Sequence, residues 1–313
     1  PYTTLFRSLA GERRVATVGL SEDMFGQVAI SPYNELIAYE FLYSRKGASL
    51  KRIVEETVAA QKLPSEVFYE RFGMVTPDDL AEVEQYVETK LGSFSVAINN
   101  TPSWPDKLKD SARPTPVLYY RGDIGLMEAP NISIVGARKA STDGKRRAAL
   151  LAKQLVERNV VITTGLALGI DTAATRSAIE HGGKAIGVIG TPVDVHYPKE
   201  NIQLQDAISR EHLLVSQVPF YRYANQPFKT KRYYFPERNE LMAAISDATV
   251  IVEASDTSGT LTQAKACLHQ GRPLFIMRSC AENEEVTWPS KFLSCEGVHV
   301  LDDVNQITSI LGI

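Results

Sequence analysis

The sequence predicts an α/β protein in which a doubly wound, mainly parallel sheet follows a small N-terminal helical domain. The first observation is a series of short apolar, β-branched runs between Asn131 and Met277, separated by stretches with helical periodicity. Strands that alternate with helices in this way form parallel sheets with helices on both faces. The second observation is that these runs end in turns rich in glycine and hydroxyl residues, which open the following helices.

The predicted elements of the sheet domain follow a proline-rich lead-in. This lead-in runs from Pro102 and ends in a strand over Val117–Tyr120. The strands of the sheet are predicted near residues 132–135, 160–163, 185–189, 213–216, 249–253 and 273–277. The helices are predicted near residues 142–158, 170–181, 200–209, 237–246, 259–270 and 303–311. This arrangement places the turns after consecutive strands at the carboxyl edge of the sheet, where ligands bind in open α/β folds.

The residues before the sheet predict a small domain of helices. An amphipathic stretch opens at Leu36, and apolar side chains continue at helical spacing from Leu50. Helix-start signals, each a proline beside a cap residue and acidic residues, occur at Pro64 and Pro77. The first dozen residues lack Met and any periodic pattern, and we expect them to be non-native. The predicted segments are a tail at 1–28, the helical domain at 29–92 and the sheet domain at 93–313.

Composition and charge are those of a globular protein without a membrane span. Apolar residues make up 44% of the chain and charged residues 23%, and the formal net charge is -3. No apolar run approaches about 20 residues, the length that spans a bilayer, and we expect no secretory signal. The three scattered cysteines, Cys267, Cys280 and Cys295, have no metal-ligand spacing. We therefore predict a cytoplasmic protein without disulfides, bound metal or cofactor.

Two turns in the sheet domain have the features of phosphate-binding sites. They are Gly136–Ser141 and Ser258–Thr260, and each follows a predicted strand. Backbone N–H groups and the N-terminus of the following helix face a ligand at such turns. In the first turn, Ser141 is predicted to be the N-cap of the helix. Arg138 carries a planar fork of donors that suits a phosphate, and the alternative is that it pairs with a nearby carboxylate.

Further residues at the same edge suit an anion. Gly165 and Gly169 allow the backbone to run close to a ligand, and Asp171 is predicted to cap the next helix. Arg238 and Asn239 present a charge and an amide where another helix begins. The basic residues that adjoin these turns are Arg138, Lys139, Lys145, Arg146 and Arg147 in one run, and Lys229, Lys231, Arg232 and Arg238 in another. Together these features predict a positively charged, phosphate-binding cleft.

The sequence offers no arrangement of residues for catalysis. The histidines are His181, His196, His212, His269 and His299, and none has the spacing of a hydrolase or a metal site. His181 and His269 are predicted at helix C-termini. No nucleophile–base pair and no pair of carboxylates at helical spacing lies beside the predicted cleft, so we predict that the protein is not an enzyme.

Six motifs in the sheet domain occur in the order of a known family. They are Val135-Gly-Ala-Arg-Lys-Ala-Ser141, Thr164-Gly-Leu-Ala-Leu-Gly-Ile-Asp171, Gly182-Gly-Lys-Ala-Ile-Gly-Val-Ile-Gly190, Tyr197-Pro-Lys-Glu-Asn201, Phe235-Pro-Glu-Arg-Asn239 and Glu253-Ala-Ser-Asp-Thr-Ser-Gly-Thr-Leu-Thr262. Over roughly residues 100 to 300 the chain resembles the DNA-processing protein A family (DprA, also called Smf). Members of that family have an extended Rossmann fold, often behind a small N-terminal helical domain. The resemblance therefore implies a Rossmann-like sheet domain.

The resemblance also implies a function and partners. Family members bind single-stranded DNA in a basic pocket, form dimers and hand the strand to the recombinase RecA during DNA-mediated transformation. It implies phosphate contacts from Arg138, from the Ser258–Thr260 amides, and from Arg238 with Asn239. The predicted DNA-binding and phosphate-binding residues are Gly136, Arg138, Lys139, Ser141, Lys145, Gly165, Gly169, Arg238, Asn239, Ser258, Gly259 and Thr260. The predicted partners are single-stranded DNA, RecA and a second copy of the chain.

Two other functions are compatible with the same cleft. The lysine-decarboxylase-like (LOG) group, which cleaves nucleoside monophosphates, has a similar cleft with a catalytic Glu. Here Gln263 stands at that position, and its amide cannot transfer a proton near neutral pH. A nucleotide-sensing module of a stress or defence pathway would bind a free nucleotide, and no DNA, in the same cleft. It accounts better for the negative net charge and for Glu240, which stands where the family has a cation.

Overall fold

The computed structural model describes residues 21–22, 28–73 and 77–313. The predicted non-native start and the cap residue before Pro77 lie outside the described residues. The chain divides into two compact units. Unit 1 holds the described residues up to Trp104 with Thr115–Tyr119 and Pro219–Gln226, and unit 2 holds Pro105–Pro114, Tyr120–Val218 and Pro227–Ile313. The domain boundary predicted at residue 93 falls inside unit 1.

Short strands and helices make up most of the described chain. The strands are β1 (Ser21–Glu22), β2 (Val28–Ala29), β3 (Ser95–Ile98), β4 (Val117–Gly122), β5 (Asn131–Val135), β6 (Val161–Thr164), β7 (Ala185–Val188), β8 (Leu213–Ser216), β9 (Ala248–Ile251), β10 (Leu274–Met277) and β11 (Val298–Leu301). The helices are α1 (Pro32–Ser44), α2 (Leu50–Glu56), α3 (Pro64–Phe72), α4 (Pro77–Glu88), α5 (Thr142–Val156), α6 (Ile170–Glu180), α7 (Ile202–Glu211), α8 (Phe220–Asn225), α9 (Phe228–Lys231), α10 (Tyr234–Ile245), α11 (Thr260–His269), α12 (Arg278–Ala281), α13 (Trp288–Leu293) and α14 (Val304–Leu311). Every strand and helix predicted for the sheet domain is present, and β3, β11 and four short helices were not predicted. No helix within the described ranges is long and apolar enough to cross a lipid bilayer.

In the sheet of unit 2, the order in which the chain adds strands reverses between β5 and β9. Its strands lie in the order β11-β10-β9-β5-β6-β7-β8, followed by the second half of β4. Neighbouring strands from β11 to β8 are parallel. The chain adds strands outward from β5 to β8, then returns to β9 beside β5 and continues outward to β11. This confirms the predicted doubly wound, mainly parallel sheet, and ligands bind beyond the strand ends at such a reversal.

Buried apolar side chains hold the helices of unit 2 against this sheet. Ile132 and Ile134 are two residues apart in β5, so they point to the same face, where they pack with side chains of α5, α6 and α14. A second cluster joins Leu204 and Ile208 of α7 to the strands β7 and β8. The carboxyl ends of the strands are therefore fixed in a well-packed core, and the loops that leave them start from rigid positions.

A buried carboxylate organises unit 1. Glu40 of α1 accepts hydrogen bonds from the Tyr119 hydroxyl at 2.7 Å and from the backbone N–H groups of Phe220 at 2.8 Å and Tyr221 at 3.1 Å. The last two lie in the first turn of α8, whose N–H groups would otherwise be unpaired in the interior. Burial raises the pKa of Glu40 to about 7, although the three hydrogen bonds pull it downward. Glu40 therefore links α1, β4 and α8.

Candidate functional site

A cleft of about 1250 Å³ opens beyond the carboxyl ends of β5 and β9, where the sheet reverses. The turn after β5, the start of α10, the loop between β9 and α11, and residues around 279–286 line it. The predicted binding residues on its lining are Gly136, Arg138, Lys139, Ser141, Arg238, Asn239, Ser258, Gly259 and Thr260. The structure therefore brings together the two turns and the helix start that the sequence singled out, all within unit 2.

Three cations on the lining have no ion pair with any described residue. Arg138 and Lys139 are exposed in the turn after β5, and Arg147 is half-buried on α5. Arg138 therefore forms no ion pair with a described carboxylate, although its charge lowers the pKa of the nearby Asp171. The remaining predicted cation, Lys145, is exposed on α5 and lies off the lining.

The N-terminus of α5 already holds a carboxylate. Ser141 is the N-cap, as predicted, and its hydroxyl accepts a hydrogen bond from the Gly144 N–H at 2.9 Å. Glu253, which follows β9, accepts the Ser141 N–H at 2.9 Å and the Ser141 hydroxyl at 2.5 Å. A phosphate bound in a turn of this kind takes the same position at the helix N-terminus. Glu253 therefore occupies that position, which leaves the side chains of Arg138 and Lys139 as the donors that face the cleft.

In the turn at Ser258–Thr260, Gly259 is exposed. The hydrogen bonds of this turn are formed between residues of the same loop. The Ser258 N–H donates to the Ser255 carbonyl at 3.0 Å, and the Thr260 N–H donates to the Ser258 hydroxyl at 3.1 Å. A Cβ added to Gly259 would have no heavy atom within 4 Å, so the tip of the loop is open. Fewer backbone N–H groups are therefore free to bind an anion at this turn than the sequence predicts. An anion there would compete with the hydrogen bonds inside the loop.

Arg238 lies on the floor of the cleft and is almost fully buried. Its Nη1 donates to the Val188 carbonyl at 2.7 Å, and its Nε donates to Asn239 Oδ1 at 3.1 Å. A Cβ on Gly165 would come within 1.9 Å of Nη1, so the guanidinium occupies space that only a glycine leaves open. Gly165 therefore contributes to the site by admitting Arg238, and it does not line the cleft itself.

Asp171 is buried beside Arg238 and does not cap a helix. The prediction that Asp171 caps α6 is wrong, because Gly169 is the N-cap and Asp171 is already the second residue of the helix. Its carboxylate turns back and accepts the N–H groups of Gly165 at 3.0 Å and Ala167 at 3.3 Å. This interaction holds the turn after β6 in the shape that accommodates the Arg238 guanidinium.

The pKa values on this floor reflect burial and the neighbouring charges. Burial raises the pKa of Asp171 to about 6 and lowers the pKa of Arg238 to about 10, and each group opposes the shift of the other. Arg138 lowers both pKa values, because a nearby cation favours the ionised carboxylate and disfavours the charged guanidinium. These pKa shifts place the charge of Arg138 close to both buried groups.

Gly169 supports the turn that carries Arg138. Its backbone has φ = +83°, which favours glycine, and a Cβ there would lie 2.2 Å from the Ala137 carbonyl oxygen. The next residue, Ile170, donates its N–H to the same oxygen at 3.3 Å. The end of the loop after β6 is thus packed directly against the turn after β5, with Gly169 off the lining.

Cations and carboxylates are equally frequent on the lining, but most of the carboxylates are engaged. The carboxylates are Asp143, Asp171, Glu253 and Glu285. Asp143 pairs with Arg146 at 3.2 Å, and Asp171 and Glu253 accept the hydrogen bonds described above. The second basic run lies off the lining except for Arg238, and so does Glu240, whose Oε2 is 3.4 Å from His269 Nδ1. Glu240 therefore does not place a negative charge in the cleft.

Several charged residues of the lining were not among the predicted binding residues. Arg147 was named only as part of the basic run, although its spacing of four positions from Asp143 places both on one face of α5. Glu253 lies two residues after the end of β9, at the reversal point. Asp171 was noticed but given a different role. Gln263 was expected at the cleft, and it lies there buried, with its Nε2 3.4 Å from Thr249 Oγ1.

The sequence matches the family model described as DNA recombination-mediator protein A over residues 95–311, which contain every residue of the cleft lining. This chain belongs to that family, as its motifs predicted. It is 35% identical to the DNA processing protein DprA of Streptococcus pneumoniae over 211 residues, which cover 67% of this chain and 70% of the relative. It is 31% identical to DprA of Bacillus subtilis over 229 residues, which cover 73% and 72%.

Solved structures of DprA proteins share the fold. The structure from Streptococcus pneumoniae has a TM-score of 0.68 at 26% identity and covers 90% of this chain and 98% of its own. A structure from Helicobacter pylori, described together with the single-stranded DNA binding mode of that protein, has a TM-score of 0.58 at 25% identity. It covers 70% of this chain and 95% of its own. The predicted Rossmann-like fold is thereby confirmed.

Proposed function

We propose that this protein binds single-stranded DNA through the phosphate backbone, in the cleft at the reversal of the sheet. The observation that carries the proposal is the set of cations Arg138, Lys139 and Arg147, which lack ion pairs with described residues and stand beside the buried Arg238. Membership of the DprA family supports it, since a relative from Helicobacter pylori is described with a single-stranded DNA binding mode.

The chemistry of these cations favours phosphate over base recognition. A guanidinium pairs with two phosphate oxygens through parallel hydrogen bonds, and an ammonium contributes a mobile point charge. Contacts of this kind position a strand without reading its sequence. The engaged carboxylates of Asp143 and Glu253 are already compensated, so they oppose a bound phosphate less than free carboxylates would. We therefore propose binding with little sequence preference.

We propose the biological setting from the family. The protein then acts in DNA-mediated transformation or recombination, as a homodimer, with RecA as the recipient of the strand. The names of its relatives support a role in DNA processing, and the match with the family of recombination-mediator proteins supports an effect on recombination. RecA and the dimer rest on the resemblance alone.

Competition binding tests the proposed function against nucleotide sensing. Labelled oligo-dT should bind the protein, because it presents several phosphates in series and forms no duplex. Unlabelled oligo-dT should displace it, and dTMP at the same nucleotide concentration should not. Tight binding of dTMP without binding of oligo-dT would instead support the nucleotide-sensing function.

We further propose that the cleft performs no hydrolysis of nucleotides. Gln263 occupies the position of the catalytic Glu in the LOG group, and a neutral amide cannot act as a general acid or base. Incubation with nucleoside monophosphates should therefore release no free base above a heat-killed control. Release of base that is lost again in Gln263→Ala would place the protein among the hydrolases.

A further inference from the structure

One residue of the neighbouring loop holds both ends of the turn that carries Arg138. The backbone carbonyl of Glu253 accepts the Ala137 N–H at 2.7 Å, at the start of the turn. The carboxylate of the same residue accepts the N–H and the hydroxyl of Ser141 at the end of the turn, at 2.9 and 2.5 Å. Arg138 and Lys139 lie between these two attachments.

The surroundings of Glu253 fit its carboxylate closely. A Cβ on Gly144 would come within 2.2 Å of Glu253 Oε2, and a Cβ on Gly136 would come within 2.8 Å of the Glu253 carbonyl oxygen. Two glycines on the same segment thus leave the space that Glu253 fills. The N-terminus of α5 also favours a negative charge through its unpaired N–H groups and its dipole.

Glu253 has two opposing effects on the affinity for a strand. One comes from its charge, and the other comes from its hydrogen bonds to the turn. A carboxylate on the lining repels phosphate, so electrostatics alone predicts that its removal strengthens binding. An attachment that fixes residues 137–141 has the opposite effect, because donors held in place lose less conformational freedom when they bind. The sign of the change in affinity therefore distinguishes the two.

We propose that Glu253 is a positioning residue for DNA binding, which orients the Arg138–Lys139 turn toward the cleft and keeps phosphate from the N-terminus of α5. This inference rests on the proposed function. Phosphates of the strand then meet the side chains of Arg138 and Lys139, and they do not meet the amide of Ser141.

Glu253→Ala should weaken oligo-dT binding about tenfold, close to the effect of Arg138→Ala, because both remove the same oriented contact. In the Arg138→Ala background, Glu253→Ala should weaken binding clearly less than it does in the unmodified protein, since only Lys139 remains to be oriented. Glu285→Ala is the matched control, because Glu285 is an exposed carboxylate on the same lining. Its removal takes a negative charge from the lining without loosening the turn, so oligo-dT affinity should increase.

Two readouts keep the test independent of global stability. Gly144→Ala should reproduce the Glu253→Ala loss, because its methyl group displaces the carboxylate while Ala suits a helix. Hydrogen exchange at the Ser141 amide should accelerate in Glu253→Ala without DNA, since its acceptor is gone. The inference would be overturned if Glu253→Ala bound oligo-dT more tightly, as Glu285→Ala is expected to. It would also be overturned if the losses of Glu253→Ala and Arg138→Ala were additive in the double variant. Failure of the unmodified protein to bind oligo-dT would instead refute the proposed function.

Discussion

Arg138→Ala is expected to weaken oligo-dT binding about tenfold or more while the melting temperature stays unchanged. Arg138 is exposed and makes no hydrogen bond or ion pair with a described residue, so its truncation removes nothing from the folded core. A hydrogen bond to a charged group contributes about 1.5–3 kcal/mol, and a tenfold change in affinity corresponds to about 1.4 kcal/mol. Binding and thermal melting measured on the same preparation separate the two effects.

Two further variants define what Arg138 contributes. Arg138→Lys should recover only part of the affinity, because an ammonium supplies the charge without the planar fork. Arg210→Ala is the matched control, since Arg210 is exposed on α7 and lies off the lining. It removes the same charge and should change affinity far less. An Arg138→Ala protein that melts earlier and still binds normally would remove Arg138 from the site.

Glu40→Ala is expected to cause the largest loss of stability, about 3 kcal/mol or more in the free energy of unfolding, since a buried donor left without its acceptor costs about 1–3 kcal/mol. The Glu40 carboxylate is fully buried and accepts hydrogen bonds from Tyr119, Phe220 and Tyr221. Its removal leaves these three donors, two of them fully buried, without their acceptor and opens a cavity beside α1. Denaturant unfolding measures the change. Glu55→Ala, which removes an exposed carboxylate from α2, should have little effect, and equal losses in both variants would contradict this role.

The pH dependence of this stability has a defined sign. The pKa of Glu40 is raised by burial to about 7 in the folded protein, against an ordinary value of 4.5. The folded protein therefore holds this proton more tightly, so the stabilisation is fully present below the ordinary pKa and is lost as the pH rises through about 7. Burial also raises the pKa of Asp171, which adds to the pH dependence of stability. Comparison with Glu40→Gln removes that contribution, because both proteins contain Asp171. The free energy of unfolding of the unmodified protein relative to that variant should fall across this window, and a constant difference would contradict the assignment.

The sheet domain could be predicted because most of its strands are recognisable from their local sequence. The strands β5 to β10 are short, fully or mostly buried runs, and β5, β6, β7 and β9 are each followed by a helix of regular periodicity. β11 was missed because Val298–Leu301 is a half-buried edge strand that contains His299 and looks like a loop in sequence. The short helix α8 was missed because Glu40, a residue of a distant helix, accepts the N–H groups that open it.

The candidate site was predictable in location and less so in detail. The turns after β5 and β9 meet because parallel strands direct their carboxyl ends to one edge, and this follows from the sequence pattern alone. The hydrogen bonds of Glu253 to Ser141 join residues 112 positions apart, and no local pattern encodes such a contact. The role of Asp171 was mistaken for a related reason, since its side chain serves the turn before the helix and not the helix itself.

In the proposed complex, phosphates of a single strand bind the cations of this cleft. The most direct measurement is the affinity for oligo-dT across a series of salt concentrations. Each neutralised phosphate contributes about -0.7 to the slope of log affinity against log salt for a single strand. With Arg138, Lys139 and Arg147 engaged, the predicted slope is about -2, and it should become shallower by about 0.7 in Arg138→Ala. An affinity that stays constant between low and moderate salt would contradict phosphate binding in this cleft.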